Sequence, residues 1–256
     1  MKIEKYDVGR RCEYAADRLR ELGDKAPLGI ERVLLLPIPT SRDGVHLTGS
    51  DVTVSKTLMD VTEGDAVIGY GISTEDAEII KACGAVCIDL SNDGGFLAEN
   101  ARLTALGAVG YILTSYGVAA DGLRFGIVGY GRIGQRLTSY LVALGADVTV
   151  YTSKNATRVA LGSCGIKTEF YDRERGELLI VDGIDVLVNT APTPLDKTFS
   201  GGILPDGLSV IELASGENFV GVRGVVKLPS LPERMYPESA AEIYYRAVLN
   251  GLGVVE

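Results

Sequence analysis

Apolar residues in this chain come in short continuous runs, separated by longer stretches in which they recur at helical spacing. In the first half, Val33-Leu34-Leu35-Leu36 reads as a buried strand ended by Pro37 and Pro39. Ala66-Val67-Ile68-Gly69 and Val86-Cys87-Ile88-Asp89-Leu90 read as two more, with Thr74 to Cys83 as the helix between them. Short strands alternating with helices imply parallel β-α-β units. A charged amphipathic stretch from about Gly9 to Leu22 precedes them, with Cys12, Ala15, Ala16 and Leu19 facing a core. Lys2 to Tyr6 is a poor strand, so this half lacks an obvious opening strand.

From Phe96 to about Tyr116 there is no proline. Ala98, Ala101, Ala105, Gly107, Ala108 and Gly110 put small residues along one long helix, which can approach its neighbours closely, as at a domain junction. A second half follows. Leu123 to Val128 is fit for a buried strand, and Ile133, Leu137, Leu141 and Leu144 then fall at helical spacing. Gly145-Ala146 ends that helix, and Asp147 to Tyr151 reads as the next strand. Ile166 to Phe170, Ile184 to Asn189, Leu208 to Leu213 and Val222 to Lys227 bring the strands to six, a complete doubly wound sheet. Glu238 to Leu249 is helical again. The expected fold is α/β: a Rossmann-type doubly wound parallel sheet over 99–237, plus a smaller flavodoxin-like α/β lobe. That lobe takes 1–98 and is expected to bind substrate, with a C-terminal helix in 238–256 packing back on it.

Between the first two strands of the second half lies Gly129-Tyr130-Gly131-Arg132-Ile133-Gly134. Strand, glycine turn, helix and strand in this order form the context that a dinucleotide fingerprint requires. Gly129 permits the tight turn, Gly131 lets the backbone approach a pyrophosphate, and Gly134 lets the helix pack against the strand. The helix N-terminus offers unpaired N–H groups and a positive dipole end to the phosphates. The competing reading is a glycine-rich turn without ligand. An acidic residue at the end of the second strand would hold a ribose 2′-hydroxyl. Here Thr152 stands there, followed by Ser153, Lys154, Asn155 and Arg158. Two hydroxyls, an amide and two cations fit a 2′-phosphate, so NADP(H) is expected over NAD(H); the competing reading is a solvated loop.

The formal charge of −9 excludes the basic surface that nucleic acid or an anionic membrane would need. The four cysteines (Cys12, Cys83, Cys87, Cys164) show no metal-site spacing, and buried free thiols in a reducing compartment are expected. No apolar run is long enough for a membrane span, and Met1-Lys2-Ile3-Glu4-Lys5 is no signal peptide. A cytoplasmic protein is expected.

Several stretches resemble the family formed by the A component of dipicolinate synthase, related in architecture to the D-2-hydroxyacid dehydrogenases. They are Asn100-Ala101-Arg102-Leu103-Thr104-Ala105-Leu106-Gly107-Ala108, the glycine fingerprint with Ala143-Leu144-Gly145-Ala146, and Asp185-Val186-Leu187-Val188-Asn189-Thr190-Ala191-Pro192. Further on come Ile211-Glu212-Leu213-Ala214-Ser215, Leu228-Pro229-Ser230-Leu231-Pro232 and Pro237-Glu238-Ser239-Ala240-Ala241. Their order covers roughly residues 60–250. The resemblance implies a subunit that works with a flavoprotein-like partner, makes dipicolinate from a dihydrodipicolinate precursor with a nicotinamide cofactor, and belongs to bacterial spore formation. The family's helix motif runs Asn-x-Ile-Pro-Thr-x-Glu-Gly. Here Arg102-Leu103 replaces Ile-Pro, Leu106 replaces Glu, and Gly216 stands where an Arg commonly follows Ala-Ser.

Asn100 and Thr104 lie four apart on the long helix and share a face, so they are candidate catalytic groups if that face meets the nucleotide half. Otherwise they bond local backbone. Thr190, Pro192 and Ser215 follow the carboxyl ends of strands, where open α/β sheets bind ligands. Thr190 and Ser215 are candidates for the nicotinamide ribose or carboxamide, or cap turns. The loop Pro39-Thr40-Ser41-Arg42 either holds a substrate carboxylate through Arg42 or is a solvated turn. A hydroxyacid dehydrogenase needs a His near the nicotinamide. The only histidine, His46, lies in a loop of the first half, which argues against that class. Glu212 reads as a structural or cleft-rim carboxylate. The expected function is an NADP(H)-dependent oxidoreductase-like subunit, forming a homo-oligomer and acting on a small dicarboxylate ring such as dihydrodipicolinate. The alternative is a non-catalytic NADP-binding regulatory subunit with a degenerate site. No metal is expected.

Overall fold

The computed structural model describes residues 1–7, 9–22, 27, 29–178 and 182–254; the remainder of the expected ranges 1–98, 99–237 and 238–256 lies outside the described residues. The chain falls into two compact units, Met1–Asn100 with Pro232–Glu256, and Ala101–Leu231. In chain order the elements are β1 (Lys2–Lys5), α1 (Arg10–Arg20), β2 (Arg32–Leu35), α2 (Val54–Leu58), β3 (Asp65–Gly69), α3 (Thr74–Ala82) and β4 (Val86–Asp89). The long helix α4 (Gly94–Ser115) follows, then β5 (Arg124–Val128), α5 (Arg132–Ala143), β6 (Asp147–Thr152), α6 (Asn155–Ser163), β7 (Lys167–Asp172) and β8 (Glu177–Leu178). The chain continues through β9 (Val186–Asn189), β10 (Ser209–Glu212), β11 (Val225–Lys227), α7 (Leu231–Met235) and α8 (Pro237–Gly251).

The first unit is the smaller α/β lobe. Its strands are all parallel and lie in the order β1-β2-β3-β4. Side chains alternate across a strand, and the two faces build separate cores. Val33, Leu35, Ala66 and Ile68 pack with Cys12, Ala15, Ala16 and Leu19 of α1 and with Tyr244 and Val248 of α8. Leu34, Leu36 and Val67 pack on the other face with Val54 and Leu58 of α2 and Ile80 of α3. The α1–α8 contact is closed by Tyr14, whose hydroxyl donates to Glu242 at 2.7 Å and whose ring meets Tyr245 edge-on.

Two expectations need correction here. Lys2–Lys5 is a strand after all, the missing opening strand: it pairs in parallel with β2 at the sheet edge, so ladder bonds on one side replace the hydrophobic pattern it lacks. Nor are the cysteines uniformly buried. Cys12 is buried, and burial pushes its thiol up to about 12, but Cys83 and Cys164 are exposed and Cys87 is half-buried. Cys83 and Cys164 each close a helix, α3 and α6, where the chain turns toward solvent.

The second unit holds a seven-stranded sheet in the order β11-β10-β9-β5-β6-β7-β8. All neighbours are parallel except the short β8, which returns antiparallel on β7. Apart from β8, this is the doubly wound order of dinucleotide-binding sheets, and it reverses between β5 and β9. Ala105, Ala108 and Ile112 of α4, Leu137 and Leu141 of α5, and Leu161 of α6 cover one face. Leu195, Phe199 and Phe219, from the segments that link β9 to β10 and β10 to β11, cover the other. Leu144, expected on the buried stripe of α5, is exposed, because it sits at the helix C-cap as the chain turns through Gly145 (φ +82°).

Candidate functional site

The site begins where β5 ends. Gly129 adopts φ +89°, a conformation that favours glycine. A Cβ there would press on Ala191 Cβ and Thr190 Oγ1, both at 3.0 Å. A Cβ on Gly134 would overlap the Gly129 carbonyl oxygen, so the α5–β5 approach depends on that glycine. Gly131 differs from both. It caps α5 with ordinary extended angles (φ −83°, ψ −165°), and a Cβ there would meet no protein atom within 4 Å. The protein's own packing does not require a glycine at 131. A closely approaching phosphate would give a reason for glycine at this position. No side chain caps α5, so its first-turn N–H groups are open to an anion.

These residues form one end of a cavity of about 800 Å3 in the second unit. Gly129, Tyr130, Gly131 and Gln135 line that end, and the Gln135 amide donates to the Tyr130 carbonyl at 3.2 Å. Thr152, Ser153 and Lys154 line another part, at the carboxyl end of β6. Thr190, Ala191, Pro192 and Thr193 form the wall after β9. The cavity therefore sits at the strand ends beside the reversal of strand order, where open α/β sheets place their ligands. An orphaned glycine, uncapped helix amides and a hydroxyl-and-amine corner fit a dinucleotide phosphate backbone.

Other expected site residues are placed differently. Arg132 and Ile133 belong to the first turn of α5, with Arg132 exposed, Ile133 half-buried against the core and neither lining the cavity. Arg158 and Asn155 do not line it either. From Asn155 onward the segment expected to cradle a 2′-phosphate, with a solvated loop as the competing reading, is the helix α6, which presents Thr157, Ala160 and Leu161, and Cys164 at its C-cap, to the cavity at i, i+3, i+4 and i+7. Arg158, one residue beyond Thr157, is turned off that face, and its Nε is buried with no hydrogen-bond partner. Thr190 donates its hydroxyl to the carbonyls of Val128 (2.9 Å) and Gly129 (3.2 Å), so it props the glycine turn from below. Ser215 is exposed outside the cavity lining, and its carbonyl accepts from Asn218 at 3.1 Å. Thr104 is buried in the second unit and does not line the cavity. Asn100 belongs to the first unit, where its amide oxygen accepts from the buried Arg11 at 3.1 Å.

Three arrangements were not visible in the sequence, although Glu212 and His46 were noted there singly. Glu212 and Asn189 are both buried at the ends of adjacent strands, with Asn189 Nδ2 donating to both carboxylate oxygens. Ala214 N donates to the same carboxylate at 2.8 Å, yet burial outweighs these bonds and raises the Glu212 pKa above the ordinary range. Arg173 and Tyr171 also line the cavity and carry no motif to mark them. In the first unit, Asp43 holds the exposed His46 through Nδ1 at 2.8 Å and also accepts the backbone N–H of Val45 and His46. These bonds hold the Asp43 carboxyl well below the usual range. Arg42 in the same turn is exposed.

No protein-family model matches the chain. The A component of dipicolinate synthase from Bacillus subtilis (strain 168) is 26% identical over 234 residues, which is 86% of this chain and 77% of that protein. An 18-hydroxynorfluorocurarine reductase of a Strychnos species is 37% identical over 99 residues, 38% of this chain, and the matched stretch spans only 27% of the reductase. The solved structure of the same dipicolinate synthase component from Bacillus subtilis matches at 18% identity with a TM-score of 0.69, covering 98% of this chain and 94% of that one. The resemblance to this component of dipicolinate synthase extends over most of the chain. The fold is Rossmann-type and oxidoreductase-like.

Proposed function

We propose that this chain is an NADP(H)-dependent oxidoreductase-like subunit that acts on a small dicarboxylate ring, dihydrodipicolinate being the example. The observation that carries the reading is the cavity, which runs from a glycine that packing does not require to a hydroxyl-and-cation corner without a carboxylate. A nicotinamide nucleotide, when bound, supplies hydride transfer. The chain's residues bind and orient it. Gly129, Gly131 and the first-turn amides of α5 take the pyrophosphate. Thr152, Ser153 and Lys154 take the adenosine ribose and a 2′-phosphate, and Thr190 with Pro192 fixes the wall beside the turn. Asn100, Thr104 and Ser215, the polar groups expected at the substrate, do not line this cavity, and no substrate contact is assigned to them. A flavoprotein-like second subunit, homo-oligomer formation, a cytoplasmic setting and a role in sporulation complete the proposal by likeness to dipicolinate synthase.

A second reading, a non-catalytic NADP-binding subunit, is favoured by the state of the expected site residues and of two positions of the resembled motifs. Ser215 lies outside the cavity lining, the Thr190 hydroxyl is committed to backbone, and Leu106 and Gly216 stand where the resembled family carries Glu and Arg. The deciding experiment supplies a dihydrodipicolinate precursor with NADP(H), with and without a candidate flavoprotein subunit. Dipicolinate formation supports the first reading. Tight cofactor binding with no turnover in either arrangement supports the second.

A further inference from the structure

The cavity wall at the end of β7 is not used by the reading above. Arg173 lines it from the turn after β7 and, among the described residues, has no ion pair or hydrogen bond. Its neighbour Arg175 is by contrast held by Asp172 at 3.5 Å. Lys154 lines the same cavity from the N-cap of α6, and no side chain caps that helix. Tyr171 lines it too. Tyr171 is 3% exposed, and its hydroxyl is buried with no hydrogen-bond partner. Thr193 stands near that hydroxyl but out of hydrogen-bond geometry. An uncapped helix N-terminus, two cations and an orphaned buried hydroxyl thus converge on one space. A buried hydroxyl without a partner costs about 1–3 kcal/mol, which a ligand that reached it would offset.

We propose that Arg173, with Lys154 and the Tyr171 hydroxyl, forms the subsite for a phosphate on the adenosine ribose, and that Arg173 sets the preference for the phosphorylated nucleotide. The proposal rests on the NADP(H) reading and changes its residues: Arg173 takes the role the sequence suggests for Arg158. Guanidinium is the fitting group, because its planar fork engages phosphate oxygens in pairs, whereas the Lys154 ammonium acts as a point charge. Among the described residues, no carboxylate lines the cavity to compete for either cation.

The test titrates the full chain with NADPH and with NADH by calorimetry, for the parent and for Arg173→Ala, Arg158→Ala and Tyr171→Phe. Arg173→Ala is expected to weaken NADPH at least ~10-fold and NADH less than about twofold. Tyr171→Phe is expected to weaken NADPH about 3–10-fold, and Arg158→Ala to leave both affinities within about twofold. Adenosine 2′,5′-bisphosphate against adenosine 5′-monophosphate should show the same selectivity, which isolates the ribose phosphate from the nicotinamide. A parent that prefers NADPH with Arg173→Ala unchanged overturns this inference alone. A parent that binds NADH as tightly as NADPH overturns the NADP(H) reading and the inference with it.

Discussion

Asn189 donates through Nδ2 to both carboxylate oxygens of Glu212, at 3.1 and 3.2 Å, and the same carboxamide spans the backbone of Ala191 through Nδ2 and Oδ1. One amide therefore ties the end of β10 to the loop that walls the cavity. The orientation of Asn189 is set on both sides, since a flipped amide would lose the Ala191 bonds and face the carboxylate with oxygen.

Because burial raises the Glu212 pKa, the unfolded chain ionises first as pH climbs, from about 4.3. Its contribution to stability is full below that value and declines as pH rises through the folded-state pKa. Asn189→Ala removes a donor that the ionised carboxylate uses. The variant should lose about 1–3 kcal/mol at neutral pH. Its deficit should shrink in acid, where Glu212 is protonated, and grow as pH rises. Urea denaturation of parent and variant across pH 4–8 checks this. A deficit independent of pH would show that Asn189 acts through packing and its Ala191 bonds, and not through the carboxylate.

The fingerprint glycines should separate by substitution. Gly131→Val should leave the melting temperature within a few degrees of the parent, because the position is extended and nothing lies within 4 Å of the added carbon. It should abolish stabilisation by NADPH. Gly134→Ala should instead destabilise the protein by about 1–3 kcal/mol through overpacking against the Gly129 carbonyl. Thermal shifts with and without NADPH read both effects. A Gly131→Val protein that is still stabilised as strongly as the parent would place the phosphates elsewhere.

Cofactor preference follows from the cavity corner. NADPH is expected to bind at least ~10-fold tighter than NADH, about 1.4 kcal/mol, since Thr152, Ser153 and Lys154 line the corner with no carboxylate beside them. The preference should weaken with added salt, as exposed charges are screened. Titrations of both nucleotides at two ionic strengths decide it, and equal affinities would remove the 2′-phosphate assignment.

The parts of the fold that were legible in the sequence are those with a strong period. Leu137 and Leu141 mark α5 because both are fully buried, and the apolar runs of β2, β3, β5 and β9 mark strands buried on both faces. β1 was hidden because an edge strand needs hydrogen bonds from one neighbour only, and its single apolar residue is Ile3. The glycine turn was legible from its flanks. The placement of Arg173 on the cavity wall was not. Choosing between Arg158 and Arg173 required the phase of α6, whose moderate apolar pattern hid the helix, and the path of the β7 turn, which no local pattern encodes. Asn189 and Glu212 are 23 residues apart and meet only because β9 and β10 are neighbours in register.

The last expectation concerns Leu106, half-buried on α4 two residues beyond the buried Thr104. Its side chain cannot donate, accept or carry charge, so whatever the Glu of the resembled helix motif does is lost here. The parent should therefore turn over a dihydrodipicolinate precursor slowly, and Leu106→Glu should raise the rate by about 10-fold, a modest share of what a positioned acid or base contributes. The position is not closed off from water, so a carboxylate there does not carry the full cost of burial. Leu106→Gln separates the possible causes. It restores hydrogen bonding without a titratable proton, so a gain shared by Glu and Gln marks an orienting role, and a gain confined to Glu marks proton transfer. Nucleotide affinity should stay within about twofold in both variants, because Leu106 does not line the cofactor cavity. Fast turnover by the parent would show that Leu106 costs nothing and that the site is complete without a carboxylate at that position.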